Sequence, residues 1–415
     1  MKSHKTLPAS DGQPAASPPT HPTARICFLY IAQAHQVLHS LSVAVTLARE
    51  RPDIQVDVAA TDAAVLDYAR LMADRLGQTP IGWRLLGPAW LRGIRMSDGT
   101  PPKVPMLALN ARALSAYDVI VAPERTTTAL HHFGVTSKLV YTQHGAGDRE
   151  GPFEARLGKF DLVFAAGAKQ RDRMIAEGLV EPDHCAIVGY PKFDLVDQLR
   201  PTLPRLFAEA RPTVLYNPHF DADISSWPQW GLQVLDAFAS QSRYNLIFAP
   251  HLRLFGSRPP SRVPELAPYL SNRGIHMDLG GTSASIDMTY ARLADIYMGD
   301  VSSQVYEFIR QPRPCLFLNS RKIAWHFDKS YSHWRFGPVL ETLDDLFPAL
   351  AAASKGHAQF RSAQLRGFAE TFARGPETAS SLAAGAIADI IGRDRSVVIS
   401  SPTIRTPVKL TTEQA

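Results

Sequence analysis

The chain has 415 residues, 45% hydrophobic and 20% charged, the balance of a globular protein long enough for two domains with separate cores. Its formal charge of +5 does not describe a nucleic-acid binder, because residues 1–25 and 391–415 carry +2 each and leave only +1 on the 365 residues between them. No run approaches the ~20 apolar residues of a membrane-spanning helix, and the N-terminal lysines precede no apolar core of a secretory signal, so a cytoplasmic protein with at most peripheral membrane contact is expected.

Residues 1–24, rich in Pro, Ala and Ser, are predicted to form a disordered tail. The fold starts at RICFLYIA (25–32), a continuous apolar run typical of a strand buried on both faces. A helix over 39–50, a strand at IQVDVAAT (54–61) and a helix over 63–75 follow. YDVIVAPE (117–124), SKLVYTQHG (137–145) and FDLVFAAG (160–167) supply three more strands, and HCAIVGYPKFD (184–194) closes a first half spanning 25–198. A second series begins after a Pro- and Leu-rich linker. Its strands are PTVLYNP (212–218), YNLIFAPH (244–251), GIHMDLG (274–280), ADIYMGD (294–300) and PCLFLN (314–319), within a domain of 199–355. Helices over 356–395 are expected to pack across the junction, before a flexible tail at 396–415. Cys27, Cys185 and Cys315 lie far apart in apolar runs, as buried thiols do in a reducing compartment. The pattern predicts an α/β protein of two Rossmann-like, doubly wound domains facing each other across a cleft, with ligand at the carboxyl ends of both sheets.

Polar residues that end apolar strands form an ordered set. In TQHGAG (142–147), Gln143, His144 and Gly145 end a strand; His144 there is either a general base for an acceptor hydroxyl or a loop histidine held by hydrogen bonds. In GYPKFD (189–194), Lys192 and Asp194 either point into the cleft or lie beside a packed Tyr-Pro turn. YNPHFDAD (216–223) offers His219 to a phosphate, and its Asp221 and Asp223 form a D-x-D that occurs commonly by chance, so no metal is expected. APHLRL (249–254) places His251 and Arg253 after a strand, where they suit a diphosphate. GDVSSQVYEF (299–308) reads as a strand end, a turn and a helix start. Asp300, Ser302 and Ser303 sit at the turn, and Glu307 lies one helical turn on, within reach of a ribose. Signatures of ATP hydrolysis, dinucleotide binding, a serine-hydrolase elbow and a zinc site are all missing, so no cofactor is expected.

Taken in order and spacing, QHG (143–145), GYPKFD, VLYNP (214–218), APH (249–251) and GDVSSQVYEF resemble the CDP-glycerol glycerophosphotransferase family, whose members build teichoic-acid-like polymers on a GT-B fold. The resemblance covers about 140–320. It implies a metal-independent transferase using CDP-glycerol or another nucleotide-activated donor and a glycan or lipid-linked acceptor in cell-envelope polysaccharide biosynthesis. It further implies His144 as the acceptor-activating base, His251, Ser302 and Ser303 on the donor diphosphate, and Glu307 near the ribose. The chain departs from the family at Gln143 (usually Trp), at His219-Phe220-Asp221 (usually Thr-Trp-Arg), at Leu252 (usually Pro) and at Val301 (usually Tyr). These departures leave a sugar nucleotide as credible a donor as CDP-glycerol. The rival expectations are a sugar-nucleotide 2-epimerase and a non-catalytic nucleotide-sugar-binding protein.

Overall fold

The computed structural model describes residues 22–148, 153–200, 202–256 and 258–399, so most of the two expected tails lies outside the described residues. The strands of the first half are β1 (Ala24–Tyr30), β2 (Ile54–Ala60), β3 (Ile81–Leu85), β4 (Val119–Ala122), β5 (Lys138–Tyr141), β6 (Leu162–Ala165) and β7 (Cys185–Ile187). They form one parallel sheet in the order β3-β2-β1-β4-β5-β6-β7. Those of the second half are β8 (Thr213–Asn217), β9 (Asn245–Phe248), β10 (Ile275–Met277), β11 (Ile296–Gly299), β12 (Cys315–Leu318) and β13 (Val339–Leu340), also parallel, in the order β10-β9-β8-β11-β12-β13.

The continuous apolar runs follow from burial on both faces. Ile26, Phe28 and Tyr30 of β1 enter one core while Cys27 and Leu29 enter the other. Each such fully buried side chain contributes about 1.5–3 kcal/mol relative to exposure. The first core continues into the second sheet through Leu215, Ile247, Tyr297 and Phe317, so one face of each sheet drains into a shared interior. The three cysteines are free and buried.

The helices of the first half are α1 (Leu41–Glu50), α2 (Ala63–Leu76), α3 (Ala89–Arg92), α4 (Lys103–Leu114), α5 (Ala168–Ala176) and α6 (Pro191–Leu199). The second half adds α7 (Trp227–Ala239), α8 (Thr289–Leu293), α9 (Gln304–Phe308), α10 (Leu346–Lys355) and α11 (His357–Thr371), and α12 (Ala379–Ile399) ends the described chain. The sequence reading assigned nothing between 76 and 116, where the structure has β3, α3 and α4. Two connections cross between the halves. The first is the segment after α6. The second follows α11, whose neighbour Ala373 donates its N–H to the Ala166 carbonyl of the first half at 2.8 Å. The chain then returns as α12 onto α1, where Ser380 Oγ meets Ser42 Oγ at 2.9 Å.

In each sheet the strand order reverses at one point, between β1 and β4 and between β8 and β11. The loops leaving the carboxyl ends of these strands diverge there and leave a crevice. The two crevices face one another.

Candidate functional site

A cavity of about 400 Å³ lies between the crevices, lined from both halves. The first half contributes the loops after β1, β4 and β5. Gln143, two residues after β5, has φ of 21°, and this turn carries His144 into the cleft. His144 Nδ1 lies 2.7 Å from the Pro123 carbonyl, which only accepts, so Nδ1 carries the proton and donates. Nε2 is thereby left with its lone pair, the tautomer a general base needs. Burial lowers the His144 pKa, and the nearby Glu124 carboxylate works against that shift. Glu124 is held by Gln36 Nε2 at 3.4 Å and Lys103 Nζ at 3.3 Å.

The second half contributes the loops after β8, β9 and β11. Phe220 is the platform of this wall: the His219 ring is 4.3 Å and the His251 ring 4.6 Å from its centroid, and the Arg253 guanidinium carbon sits 4.0 Å above it. His219 Nδ1 accepts the Asp221 N–H and His251 Nδ1 accepts the Arg253 N–H, which fixes both rings by their own loops. Ser302 Oγ accepts the Gln304 N–H at 3.2 Å, while Ser303 occupies the cap position without a side-chain cap bond. The following helix, α9, has only five residues. Its dipole is accordingly small, and the anion-binding capacity of this wall rests on hydroxyls, imidazoles and Arg253.

The walls also touch where two glycines face a serine. A Cβ on Gly147 would lie 3.1 Å from Ser303 Cβ, and one on Gly145 would lie 3.2 Å from Ser303 Oγ. Glycine at both positions is what lets the β5 loop of one half touch the β11 loop of the other.

Three of the expected site residues are placed differently. Asp300 turns inward and is buried, not part of the cavity lining. Its Oδ2 accepts the N–H groups of His219 (3.0 Å) and Ser226 (2.9 Å), so it holds the β8 loop in place instead of contacting a donor. Desolvation raises its pKa to about 6. Asp194 lies at the junction of α6 with α12, where Oδ2 accepts the N–H (2.7 Å) and hydroxyl (2.8 Å) of Ser380. Glu307 lines the cleft, but its carboxylate is engaged. Lys192 Nζ lies 2.7 and 2.9 Å from its two oxygens, and the Tyr190 hydroxyl donates to it at 2.9 Å. Lys192 and Glu307 thus fasten one half to the other and are not open to a ribose in this arrangement. Gln143, Gly145, His144, His219, His251, Arg253, Ser302 and Ser303 come together in the cavity.

The sequence reading missed His35, Gln36, His39, Lys103, Glu124, Asp148, Tyr190 and His333, which also line it. Their signal was position after a strand for His35 and Glu124, and none that a single sequence displays for His333. Six histidines, 35, 39, 144, 219, 251 and 333, line this one cavity. Asp148 and His333 belong to a second buried fastening. The Asp148 carboxylate pairs with Lys169, accepts the Tyr306 hydroxyl at 2.5 Å and meets His333 Nδ1 at 3.2 Å. His333 Nε2 lies 3.0 Å from the Asp300 carbonyl, so the ring bridges Asp148 and the backbone at Asp300.

No family model and no curated protein matches the chain by sequence. Solved structures do match its shape. A variant of the wall teichoic acid polymerase TagF soaked with CDPG aligns over 92% of this chain and 90% of its own at a TM-score of 0.59 and 13% identity. A UDP-N-acetylglucosamine 2-epimerase aligns over 95% and 100% at 0.57 and 11% identity. S. aureus MnaA with UDP aligns over 92% and 99% at 0.55 and 14% identity. With its two facing parallel sheets, the chain has the two-domain, Rossmann-like GT-B fold.

Proposed function

We propose that this chain is a GT-B transferase that moves glycerol phosphate, or a sugar, from a nucleotide-activated donor such as CDP-glycerol to a lipid-linked or polysaccharide acceptor of the cell envelope. The observation that carries the reading is His144, held as an unprotonated base at Nε2, across the cavity from a wall of His219, His251, Arg253, Ser302 and Ser303. In this reading the donor diphosphate lies on that wall, its charge met by Arg253 and by hydroxyl and imidazole donors. His144 Nε2 takes the proton of the acceptor hydroxyl as its oxygen attacks. With CDP-glycerol the new bond forms to phosphorus and CMP leaves; with a sugar nucleotide it forms to the anomeric carbon and a nucleoside diphosphate leaves. No step calls for a metal. Support for a nucleotide donor also comes from the CDPG and UDP bound to proteins of the same fold.

A lipid-linked acceptor is supported by the surface beside the cleft. Trp90 (68% exposed), Ile94, Met96, Val104 and Leu109 stand out from α3, α4 and the loop between them, next to the cavity-lining Asp98 and Lys103. Large exposed apolar side chains interspersed with Arg92, Arg95 and Arg112 suit the headgroup region of a membrane. Among the described residues no helix is long and apolar enough to cross one. The reading places the enzyme at the inner face of the cell membrane, peripheral and cytoplasmic.

His144→Ala tests the transfer. Turnover is expected to fall by about 10²–10⁴ while the donor still raises the melting temperature. Turnover within a few-fold of wild type removes His144 as the base. The 2-epimerase reading draws on Glu124 and Asp148, carboxylates lining the same cavity. Solvent deuterium entering the sugar of a nucleotide sugar with no acceptor present decides for it.

A further inference from the structure

We infer that the chain carries a second anion site, at the domain junction and separate from the cleft, that takes a small multiply charged phosphate of diphosphate size. A cavity of about 860 Å³ opens where the two connections between the halves run close together, large enough for a ligand of that class. Arg200, Arg292, Arg310, Arg313 and Arg374 line it against two carboxylates, Asp197 and Glu307.

One carboxylate neutralises a single arginine of the site and the other is committed to the neighbouring cleft. Asp197 is clasped by both terminal nitrogens of Arg310, one at 2.7 Å, and Glu307 is taken up by Lys192 and Tyr190. The Arg313 guanidinium donates to the carbonyls of Ala294, Ala291 and Phe308, neutral acceptors that orient its charge without cancelling it. Among the described residues, neither Arg200 nor Arg374 has a carboxylate within ion-pair distance. Burial, and then the like charge of Arg310, lower the Arg374 pKa, as crowding of cations does. Arg313, fixed by carbonyls, and Arg310, fixed by Asp197, hold the positive wall in place, and beside them the forks of Arg200 and Arg374 carry no carboxylate among the described residues and suit phosphate oxygens two at a time.

The location gives the site a consequence. Arg200 ends α6 in the first half, Arg310 follows α9 in the second, and Arg374 sits on the crossing after α11. One anion held by Arg200 and Arg374 beside the Arg310–Asp197 pair ties together the parts whose relative position shapes the cleft, and Glu307 is a wall of both cavities.

Calorimetric titration of the full chain with inorganic pyrophosphate, at ionic strength held constant with chloride, tests this. Arg200→Gln/Arg374→Gln is expected to weaken this binding at least about tenfold, the loss of one or two charged hydrogen bonds. Ser302→Ala/Ser303→Ala, changed in the cleft only, is expected to retain it. Relief of repulsion is expected to leave the anion-free melting temperature of the arginine variant unchanged or raised, which separates lost binding from lost folding. Wild-type affinity in the arginine variant, or no pyrophosphate binding by wild type, overturns the site. Phosphatidylglycerol vesicles distinguish the source of the phosphate. Co-sedimentation lost in the arginine variant assigns it to a lipid headgroup, and pyrophosphate binding lost with co-sedimentation unchanged assigns it to a free anion.

Discussion

Replacing Lys192 by Met removes the ammonium that faces both Glu307 oxygens and leaves a buried carboxylate with one neutral donor, the Tyr190 hydroxyl. Both side chains are almost fully shielded, at 7% and 6% exposure, so water cannot replace the lost partner. Orphaning one member of a buried pair costs about 3–5 kcal/mol. The protein has one escape, which is to protonate the carboxylate. For a carboxylic acid that titrates near 4.3 in water, this costs about 1.36 kcal/mol per pH unit, so ~3.7 kcal/mol at pH 7 and ~1 kcal/mol at pH 5. Because the orphaned acid binds its proton more tightly folded than unfolded, the variant loses stability as pH rises. Denaturant unfolding of Lys192→Met against wild type is therefore expected to give a deficit of about 3–4 kcal/mol at pH 7 that shrinks to about 1 kcal/mol at pH 5. The double variant Lys192→Met/Glu307→Gln is expected to recover most of it, since no buried charge remains. A deficit that does not change between the two pH values, or one that the double variant only deepens, refutes the account.

The acid limb of the kcat–pH profile is expected below pH ~6.5, because burial lowers the His144 pKa. Glu124→Gln removes the charge that opposes this shift and is expected to move the limb further to acid, a result that an unchanged profile contradicts. Asp300, raised to about 6 by desolvation, binds its proton more tightly folded than unfolded, so its contribution to stability is lost as pH rises from about 4 to 6. The stability difference between wild type and Asp300→Asn is expected to shift against wild type by up to about 3 kcal/mol over that window, measured by unfolding at a series of pH values. Gly147→Ala places a methyl 3.1 Å from Ser303 Cβ and is expected to cost about 1 kcal/mol of donor binding, roughly fivefold in Kd, as read by donor-induced thermal stabilisation.

Most of the sheet strands were legible because strands buried on both faces are written as unbroken apolar runs, and β1, β5, β8 and β11 all begin and end near where those runs do. β3 was not, because it is an edge strand whose Arg84 and Leu85 face solvent and whose alternation is spoiled by Gly82. α4 carries an apolar exposed face, Val104, Pro105, Ala108 and Leu109, which erases the amphipathic contrast that identifies a surface helix. At the site, strand ends told which loops face the cleft. They did not tell which way a side chain turns. Asp300 and Ser302 are two residues apart, yet one supports the neighbouring loop from within and the other lines the cavity. Pairing was equally hidden, since Lys192 and Glu307 are 115 residues apart and each alone reads as a cleft residue. His333 lies in a short helical turn after β12, with no strand end to mark it.

The return of α12 onto α1 has a consequence for how the chain is made. Ala383, Ala384 and Ile387 are buried in the core of the first half, and Ser380 ties α12 to both Ser42 and Asp194. On the ribosome that half is translated first but completed last. At about 5–20 residues per second, roughly 10–40 s separate the emergence of α6 from that of α12. Through that interval β2, α2 and α6 already pack on α1, but the strip of it that α12 covers stays bare, while the second half is already able to close its sheet from contiguous sequence. A nascent chain stalled before residue 379 is therefore a finished second domain tethered to an unfinished first one, and the exposed strip on α1 is where a chaperone would bind.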